Sequence, residues 1–228
     1  MIMPSDKEYK STKQIMLGQK TINPDFKELA DWIDKTYDVR TINIIYDTFI
    51  AARRKQSRLR VCFEFESESS KFRDDTRINF DTDMQTAIAT KFKEILSMKN
   101  GLTGFFRSSR YVTDNILIVF SAFEPVARLE ANLKIPQEKV KELQKDLDNP
   151  DLWKISSFGA TTFFLFTDNQ VRKYEGSKIK KDWTDKYFEL LERYDEFKYF
   201  KRKDFSIHLD SKENFDKNYE SNWYYYYK

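Results

Sequence analysis

The sequence predicts an α+β protein built from two similar units, each with the order helix, strand, strand, helix, strand. Some segments carry apolar residues at helical spacing, and others alternate apolar and polar residues as half-buried strands do. The same order of patterns occurs twice along the 228 residues. We therefore expect mainly antiparallel or mixed sheets covered by amphipathic helices, because an alternating strand needs one face buried against another layer.

The first unit is predicted at residues 23–123, after a polar N-terminal tail at residues 1–22. Asn23 followed by Pro24 is typical of a helix start, because Asn caps the helix and Pro fits its first turn. The last strand of the unit is apolar throughout, which predicts a central strand buried on both faces. The predicted elements, in chain order, are a helix at 24–36, strands at 39–49 and 59–65, a helix at 82–98 and a strand at 116–120.

The second unit is predicted at residues 124–228, either separate from the first or packed with it as one domain. It begins with apolar residues three and four positions apart, interrupted by Pro136, so we expect two helices or one kinked helix. This stripe is expected to pack on its own sheet, and a homodimer through residues 126–147 is the alternative. The stripe comprises Val126, Leu129, Leu133, Pro136, Val140, Leu143 and Leu147. The elements that follow are strands at 153–158, 161–167 and 171–174, a helix at 182–198 and a strand at 205–209.

The two units also share local sequence details. Phe63-x-Phe65 is followed by Lys71-Phe72, and Phe164-x-Phe166 is followed by Lys173-Tyr174. These echoes lie about 100 residues apart and predict an internal duplication in which the units pack as a pseudo-dimer. The alternative is that two α+β segments of this size share an element order by chance.

The inventory of chemically versatile residues excludes several classes of site. The five glycines form neither a dinucleotide-binding fingerprint nor a P-loop. The single cysteine, Cys62, and the single histidine, His208, cannot together make a Cys/His zinc site. Cys62 lies in a strand-like run, where a buried and inert thiol is expected. We predict no catalytic residues, no metal site and no cofactor. A protein that is not an enzyme is the favoured interpretation.

Charge is balanced along the whole chain. Lysine plus arginine total 40 and aspartate plus glutamate total 37, which gives a net charge of +3. A basic segment joins the first two strands and supplies candidates for phosphate contacts in a nucleic-acid-binding protein. Those candidates are Arg53, Arg54, Lys55, Arg58 and Arg60.

A metal-dependent nuclease is a further alternative, with Asp47, Glu64 and Glu66 as acids on adjacent strands. Nucleases of the restriction-endonuclease type need a lysine beside the second acid, and Glu64-Phe65-Glu66 lacks it. A solvated acidic face is therefore the favoured interpretation of these carboxylates.

Aromatic residues make up 16% of the chain and are concentrated near its end. Four consecutive tyrosines cannot all face inward from one helix or strand, so some must face a groove or a partner. Tyrosine and tryptophan are enriched as anchors of protein interfaces. The alternative is an edge strand with one aromatic face buried on its own domain. The candidate partner-binding residues are Tyr199, Tyr219, Trp223, Tyr224, Tyr225, Tyr226 and Tyr227.

The overall character is rich in lysine, asparagine and aromatics and poor in glycine, and it resembles small cytoplasmic proteins of bacteria with AT-rich genomes. Immunity proteins that inhibit secreted toxins are a large class among these. The missing catalytic inventory and the surplus of tyrosine near the C-terminus predict a non-catalytic protein-binding module that occludes or scaffolds another protein. The resemblance implies that this module is an immunity-type inhibitor. No apolar run is long enough for a membrane span or a signal peptide, so a cytoplasmic location and no membrane partner are expected. A nucleic-acid-binding protein or nuclease is the competing hypothesis.

Overall fold

The computed structural model describes residues 2–51, 54–103 and 110–228, with side chains at 2–51, 54–98 and 110–228. The chain divides into two compact units, Met1–Val126 (unit 1) and Ala127–Lys228 (unit 2). Each unit holds a small three-stranded sheet covered by helices. The predicted α+β class with mixed sheets is confirmed.

Unit 1 is built around a sheet with the order β1-β2-β3, in which β1 and β2 are antiparallel and β2 and β3 are parallel. The parallel pair requires a crossover connection, which short helical turns and the long helix α4 provide. The elements are α1 (Lys7–Met16), α2 (Pro24–Tyr37), β1 (Thr41–Ala51), β2 (Arg54–Phe63), α3 (Glu66–Ser69), a 3₁₀ turn (Ser70–Phe72), α4 (Thr82–Thr103), β3 (Leu117–Ala122) and the start of α5 (Phe123–Lys134).

One face of this sheet forms the core of unit 1. Leu59, Val61 and Phe63 alternate along β2 and are fully buried against helices α2 and α4. The Phe63 ring stacks on Phe72 with ring centres 4.8 Å apart, and Phe72 stacks on Phe120 at 4.4 Å. The period-two alternation that predicted β2 therefore reflects burial of one sheet face.

Three details of unit 1 differ from the sequence-based expectations. The strand β3 is an edge strand, not a central one, because its residues alternate between buried and half-buried and β2 takes the central place. Within the predicted polar tail, Lys7–Met16 forms a helix. Its buried side chains are Tyr9 and Thr12, which alternate in sequence with charged residues. The basic segment belongs to β2 from Arg54 onward, so its described part lies within a hairpin strand and not in a connecting loop.

Unit 2 is built around a sheet with the order β4-β5-β6, again with an antiparallel first pair and a parallel second pair. Its core lies on the face that carries Phe163 and Leu165, against α8. The elements are the rest of α5, α6 (Gln137–Asp146), β4 (Leu152–Ser156), β5 (Thr162–Leu165), α7 (Asp168–Tyr174), α8 (Lys178–Glu192), a 3₁₀ turn (Arg202–Asp204), β6 (His208–Ser211), α9 (Lys212–Tyr219) and α10 (Trp223–Tyr226).

Three segments of unit 2 differ from their predictions. The helix expected at 182–198 is α8, which runs from Lys178 to Glu192 and so ends six residues earlier than expected. Residues 171–174 are helical because a capping box starts α7, in which Thr167 accepts from the Gln170 backbone N–H and the Gln170 side chain accepts from the Thr167 N–H. The last strand begins at His208 and runs to Ser211, three residues later than the expected start.

Pro136 separates α5 from α6, so the segment forms two helices, which is one of the two arrangements expected from the sequence. Val140 is buried in the core of unit 2, and Leu143 and Leu147 pack against that core. Leu133 remains 54% exposed. The second half of the apolar stripe therefore packs on the sheet of its own unit.

The two sheets share more than their strand order. Each antiparallel pair is irregular near its start, between Thr41 and Asn43 in β1 and between Leu152 and Lys154 in β4. In each unit the residue after the second strand accepts a backbone hydrogen bond from the helix that follows the third strand. The donor and acceptor are Glu124 and Glu64 in unit 1 (2.9 Å) and Glu213 and Phe166 in unit 2 (3.2 Å). Internal duplication stays a prediction. A duplication would account for these shared features.

Candidate functional site

The outer face of the unit 2 sheet is covered by aromatic side chains. Phe164 is fully buried at its centre and contacts Trp223 with ring centres 5.3 Å apart. Trp223 also stacks on Phe215 of α9 at 4.1 Å and on Trp153 at 6.1 Å. We call this cluster the aromatic layer, and its members are Trp153, Phe164, Phe215, Trp223, Tyr226 and Tyr227.

The helix α10 sorts the terminal aromatic residues onto two sides. The Asn222 side chain accepts a hydrogen bond from the Tyr224 N–H (2.9 Å), which caps this single turn. Residues three and four apart share a helix face, so Trp223, Tyr226 and Tyr227 all turn inward. Tyr224 and Tyr225 point outward and are 67% and 48% exposed. The expectation that consecutive tyrosines divide between core and surface thus fits a helical turn, and no edge strand forms here.

Two phenol groups tie this segment to the sheet. The Tyr226 hydroxyl donates to Asp210 Oδ2 at 2.5 Å, and the Tyr227 hydroxyl lies 2.5 Å from Ser156 Oγ. Burial, followed by the carboxylate of Asp210, raises the pKa of Tyr226. Burial also raises the pKa of Tyr227. Both phenols therefore stay neutral at physiological pH and hold α10 in one position.

A cleft of about 290 Å³ lies beside strand β4, and we call it the β4 cleft. Trp223 and Tyr227 form one wall, and the exposed side chains of Leu133 and Phe158 contribute to its rim. Lys154 projects from β4 with its Nζ 4.2 Å from the ring centre of Trp223. The cleft is lined by Asn132, Leu133, Ile135, Gln137, Lys154, Ile155, Ser156, Ser157, Phe158, Trp223 and Tyr227.

The other two aromatic candidates have different surroundings. Tyr219 is half-buried, and its ring contacts Tyr226 at 4.9 Å, so it extends the aromatic layer. Tyr199 is buried, stacks on Phe197 at 5.8 Å and accepts a hydrogen bond at its carbonyl from Arg128. Tyr199 therefore acts as part of the packing of unit 2, whereas the structure brings the remaining six candidates together.

The basic candidates fall into two groups. Arg58 donates two hydrogen bonds to Asp47 (2.9 and 2.8 Å), and Arg60 pairs with both Asp47 and Glu8. Hydrogen bonds from Arg58 lower the pKa of Asp47, so this carboxylate stays charged and holds both guanidinium groups. Arg54 and Lys55 are exposed on the hairpin. Arg53 lies outside the described residues.

The groups with potential for chemistry are engaged elsewhere or isolated. Burial raises the pKa of the Cys62 thiol to about 12, so it is protonated and unreactive at physiological pH. His208 is exposed on β6. Asp47 is paired as described above. Glu64 follows the end of β2 and pairs with Arg40 at 2.6 Å, and Glu66 begins α3, so the expectation that both glutamates lie on the strand beside Asp47 is wrong. Within residues 2–51, 54–103 and 110–228, no three side chains of the metal-ligating types come close enough together to hold an ion.

The sequence pattern did not single out four residues of the aromatic layer and the β4 cleft. These are Leu133, Trp153, Lys154 and Phe158. Trp153 and Lys154 were parts of a predicted strand, and Leu133 was one position of an apolar stripe. The available signal was Phe158 followed by Gly159, since a large apolar residue at a turn is rarely core. Gly159 adopts a left-handed conformation (φ 69°) in the turn between β4 and β5, where Phe158 is 60% exposed.

Comparisons with protein-family models, with curated proteins and with solved structures give no match for this chain. Among the described helices, none combines the length and the apolar content needed to cross a lipid bilayer.

Proposed function

We propose that the protein is a non-catalytic binding module. It binds another protein through the surface of unit 2 that carries the exposed rings of Tyr224 and Tyr225. The observation that carries the proposal is the division of the terminal aromatics by α10. Three rings anchor the turn inward, and the two rings that point outward gain nothing from the core. Large exposed apolar side chains grouped beside a cleft are typical of interaction sites.

The geometry suits binding because the exposed rings are held in place before a partner arrives. Asn222 caps the turn, and Trp223 and Tyr226 fix its inner side through ring contacts and the Asp210 hydrogen bond. Tyrosine has few rotatable bonds, so little side-chain entropy is lost on binding. Tyr224 and Tyr225 therefore supply contact area at low cost, and their neighbours in sequence, Trp223 and Tyr227, line the β4 cleft.

We propose that the module acts in the cytoplasm by covering a functional surface of its partner, as an immunity-type inhibitor does. Burial keeps the Cys62 thiol protonated, and Arg58 holds the Asp47 carboxylate in an ion pair, so both groups are engaged in the fold, which supports binding over catalysis. The test is co-expression with the product of the neighbouring gene. Rescue of cell growth from that product supports the immunity role, and growth arrest that is indifferent to the protein contradicts it.

The binding surface itself is tested by photo-cross-linking from position 224 in cells of the source organism. The cross-linked partner is then purified and titrated with the full chain by calorimetry. Replacing Tyr224→Ser and Tyr225→Ser together is expected to raise Kd at least about tenfold, since each anchor of this type contributes more than about 1 kcal/mol. These point variants are sharper than deletion of residues 223–228, which also removes the inward-facing Trp223.

The matched control is Ile179→Ser, which removes another exposed apolar side chain of unit 2, 42% exposed on α8. This variant is expected to bind the partner within about twofold of wild type. Equal loss of affinity in both variants, or no specific protein cross-linked at position 224, contradicts the proposed surface.

Nucleic-acid binding is the second candidate, and the β1–β2 hairpin is the observation that favours it. Among the described residues, strand β3 pairs with Arg58–Phe63 alone, so the hairpin continues past this pairing as a two-stranded ribbon. Arg54 and Lys55 are exposed on this ribbon, and a two-stranded ribbon fits the major groove of DNA. Filter binding of a labelled duplex at several salt concentrations tests the idea. Salt-dependent retention that Arg54→Gln with Lys55→Gln abolishes supports it, and no retention at low salt contradicts it.

A homodimer through residues 126–147 stays a separate proposal. Because Leu143 and Leu147 already pack against the core of unit 2, the exposed Leu133 is its main remaining apolar contact. Light scattering of the purified chain decides it, since a monomeric mass at high concentration contradicts the dimer.

A further inference from the structure

Strand β4 is the edge of its sheet, and its outer side faces the β4 cleft. The order β4-β5-β6 leaves β4 with one paired neighbour. An unpaired strand edge presents a row of backbone N–H and C=O groups that can pair with another extended chain. Within the described part of the protein, the segment Lys154–Ser156 receives no backbone hydrogen bond from outside the sheet.

The outer edge is closed at one end and open along the cleft. At the irregular start of the strand, Gln144 Nε2 donates to the Trp153 carbonyl at 2.9 Å. That interaction ends the available edge before Lys154. The three residues that follow, Lys154–Ser156, all line the β4 cleft. An added strand therefore has a defined starting point and runs beside an apolar wall.

The lining of the cleft selects the chemistry of such a strand. Its lining combines aromatic and aliphatic side chains with uncharged polar ones, and among the described residues that line it Lys154 is the cation and none is a carboxylate. Lys154 lies over Trp223 and has no ion-pair partner among the described residues. An extended segment places alternate side chains on one side, so it can direct an apolar side chain into the cleft and a carboxylate toward Lys154.

We propose that the β4 edge binds an extended segment of the partner protein as an added strand, with an apolar side chain in the β4 cleft and an aspartate or glutamate paired with Lys154. This inference rests on the proposed protein-binding function and names how the partner is recognised. Backbone hydrogen bonds supply affinity in this mode, and the cleft and the cation supply specificity.

Unit 1 provides an internal contrast for this proposal. Asn43 occupies the place that Lys154 has in unit 2, one residue after the irregular point of the edge strand. Asn43 is 3% exposed and donates to Thr12 of α1 at 3.1 Å. The corresponding position of unit 1 is therefore used for internal packing and offers no cation to a partner.

The test uses the full chain and a displayed library of random nonapeptides as the probe. Selected sequences are expected to alternate apolar residues with an acidic one, and a synthetic peptide of the selected sequence is titrated by tryptophan fluorescence. Lys154→Glu is expected to raise the peptide Kd at least about tenfold. Leu133→Asp, at an exposed position of the rim, is expected to do the same without affecting the fold. Lys217→Glu makes the same charge change on the exposed side of α9 and is expected to leave Kd within about twofold.

Backbone pairing is measured separately by amide hydrogen exchange. Bound peptide is expected to slow the exchange of amides within Lys154–Ser156, which direct strand addition requires. Failure to select a peptide, binding that ignores Lys154→Glu, or unchanged exchange at β4 overturns the proposal. Protection of β4 by self-association without peptide also overturns it, because the occupant is then a second copy.

The two proposals fail in different ways. If Tyr224→Ser with Tyr225→Ser weakens binding of the cross-linked partner and Lys154→Glu does not, strand addition is wrong and the protein-binding role stands. If neither set of variants changes partner binding, both proposals are wrong.

Discussion

The outer faces of the two sheets have the same backbone plan and opposite chemistry. In unit 1 the face is covered by α1, whose contacts with the strands are polar: Glu8 pairs with Arg60 and accepts from Ser121 Oγ at 3.0 Å. The one buried ring of α1, Tyr9, stacks on Phe123 at the start of α5. In unit 2 the face is covered by α9 and α10, and its contacts are aromatic rings. One unit closes its second sheet face with charges and the other closes it with large apolar groups.

The register of the strands identifies the residues that cause this difference. Cys62 lies at the centre of the unit 1 face, between Asn43 and Ser121 on the neighbouring strands. Phe164 has the same place in unit 2, between Lys154 and Asp210. The small central residue of unit 1 lets α1 approach the sheet with polar side chains, whereas Phe164 leaves room only for further rings.

This contrast explains why exposed aromatics occur in unit 2. A face filled by rings needs a helix that supplies more rings, and a single turn made almost entirely of aromatic residues cannot bury them all. Tyr224 and Tyr225 are thus the outward side of a turn whose inward side, Trp223, Tyr226 and Tyr227, is structural. A polar cover such as α1 has no such surplus.

The largest expected effect comes from removing the centre of the aromatic face. Phe164→Ala should destabilise unit 2 by about 3–5 kcal/mol, because a fully buried ring is lost and a cavity remains. Urea unfolding read by amide exchange in each unit measures the change. Cys62→Ala, at the corresponding place in unit 1, should cost much less because little volume is removed. Similar costs for the two variants would mean that the faces do not differ as described.

The next effect concerns the polar face. Glu8→Ala removes one of the two carboxylates that pair with Arg60 and the acceptor of the Ser121 hydroxyl, and we expect unit 1 to lose about 2 kcal/mol because two hydrogen bonds to a charged group are lost. Replacing both residues, Glu8→Leu with Arg60→Met, should cost less than the sum of the losses in the single variants Glu8→Leu and Arg60→Met. Thermal unfolding of the four proteins in the cycle measures the coupling. Additive losses would show that the pair does not hold α1 on the sheet.

A smaller effect is expected for the phenol that anchors α10. Tyr226→Phe removes a hydrogen bond to Asp210, which keeps its bond from Asn214 at 2.8 Å, so the loss should be about 1 kcal/mol at pH 7.

The pH dependence of this variant follows from the raised pKa of Tyr226. The folded protein keeps the phenol neutral while the unfolded chain ionises near pH 10, so its stabilising contribution is complete below about pH 10 and is lost as pH rises further. Stability should therefore fall less steeply above pH 10 in Tyr226→Phe than in wild type. Parallel curves in urea titrations at pH 9 to 11 would contradict the assignment.

The sequence indicated most elements of this fold because periodicity reports burial of one face. The helix α2 followed from its Asn-Pro start and its apolar spacing, and it was found at Pro24–Tyr37. The helix α1 gave no such signal, since it covers a polar face with Glu8 and Thr12. The place of β3 in its sheet was also inaccessible, because an apolar run does not reveal how many neighbours a strand has.

The candidate surface was predictable in part for the same physical reason. Consecutive aromatics had to divide between inside and outside, which named Trp223–Tyr227 before their contacts were known. The cleft beside them depends on β4 being an edge strand and on Lys154 lying over Trp223. Both facts depend on pairings between distant segments, and local patterns do not contain them.

The smallest expected effect on stability is the most informative about function. Lys154→Asn gives unit 2 the residue that unit 1 has at this position, and it removes one exposed cation–π contact worth less than about 1 kcal/mol. Unfolding should therefore shift little, while binding of the selected peptide should weaken with the loss of the charge. The reverse change, Asn43→Lys, places a lysine where Asn43 is buried against Thr12, and it should destabilise unit 1 clearly. If Lys154→Asn lowers the stability of unit 2 as much as Asn43→Lys lowers that of unit 1, Lys154 stabilises the fold. A residue that acts only in partner binding leaves stability nearly unchanged when it is replaced.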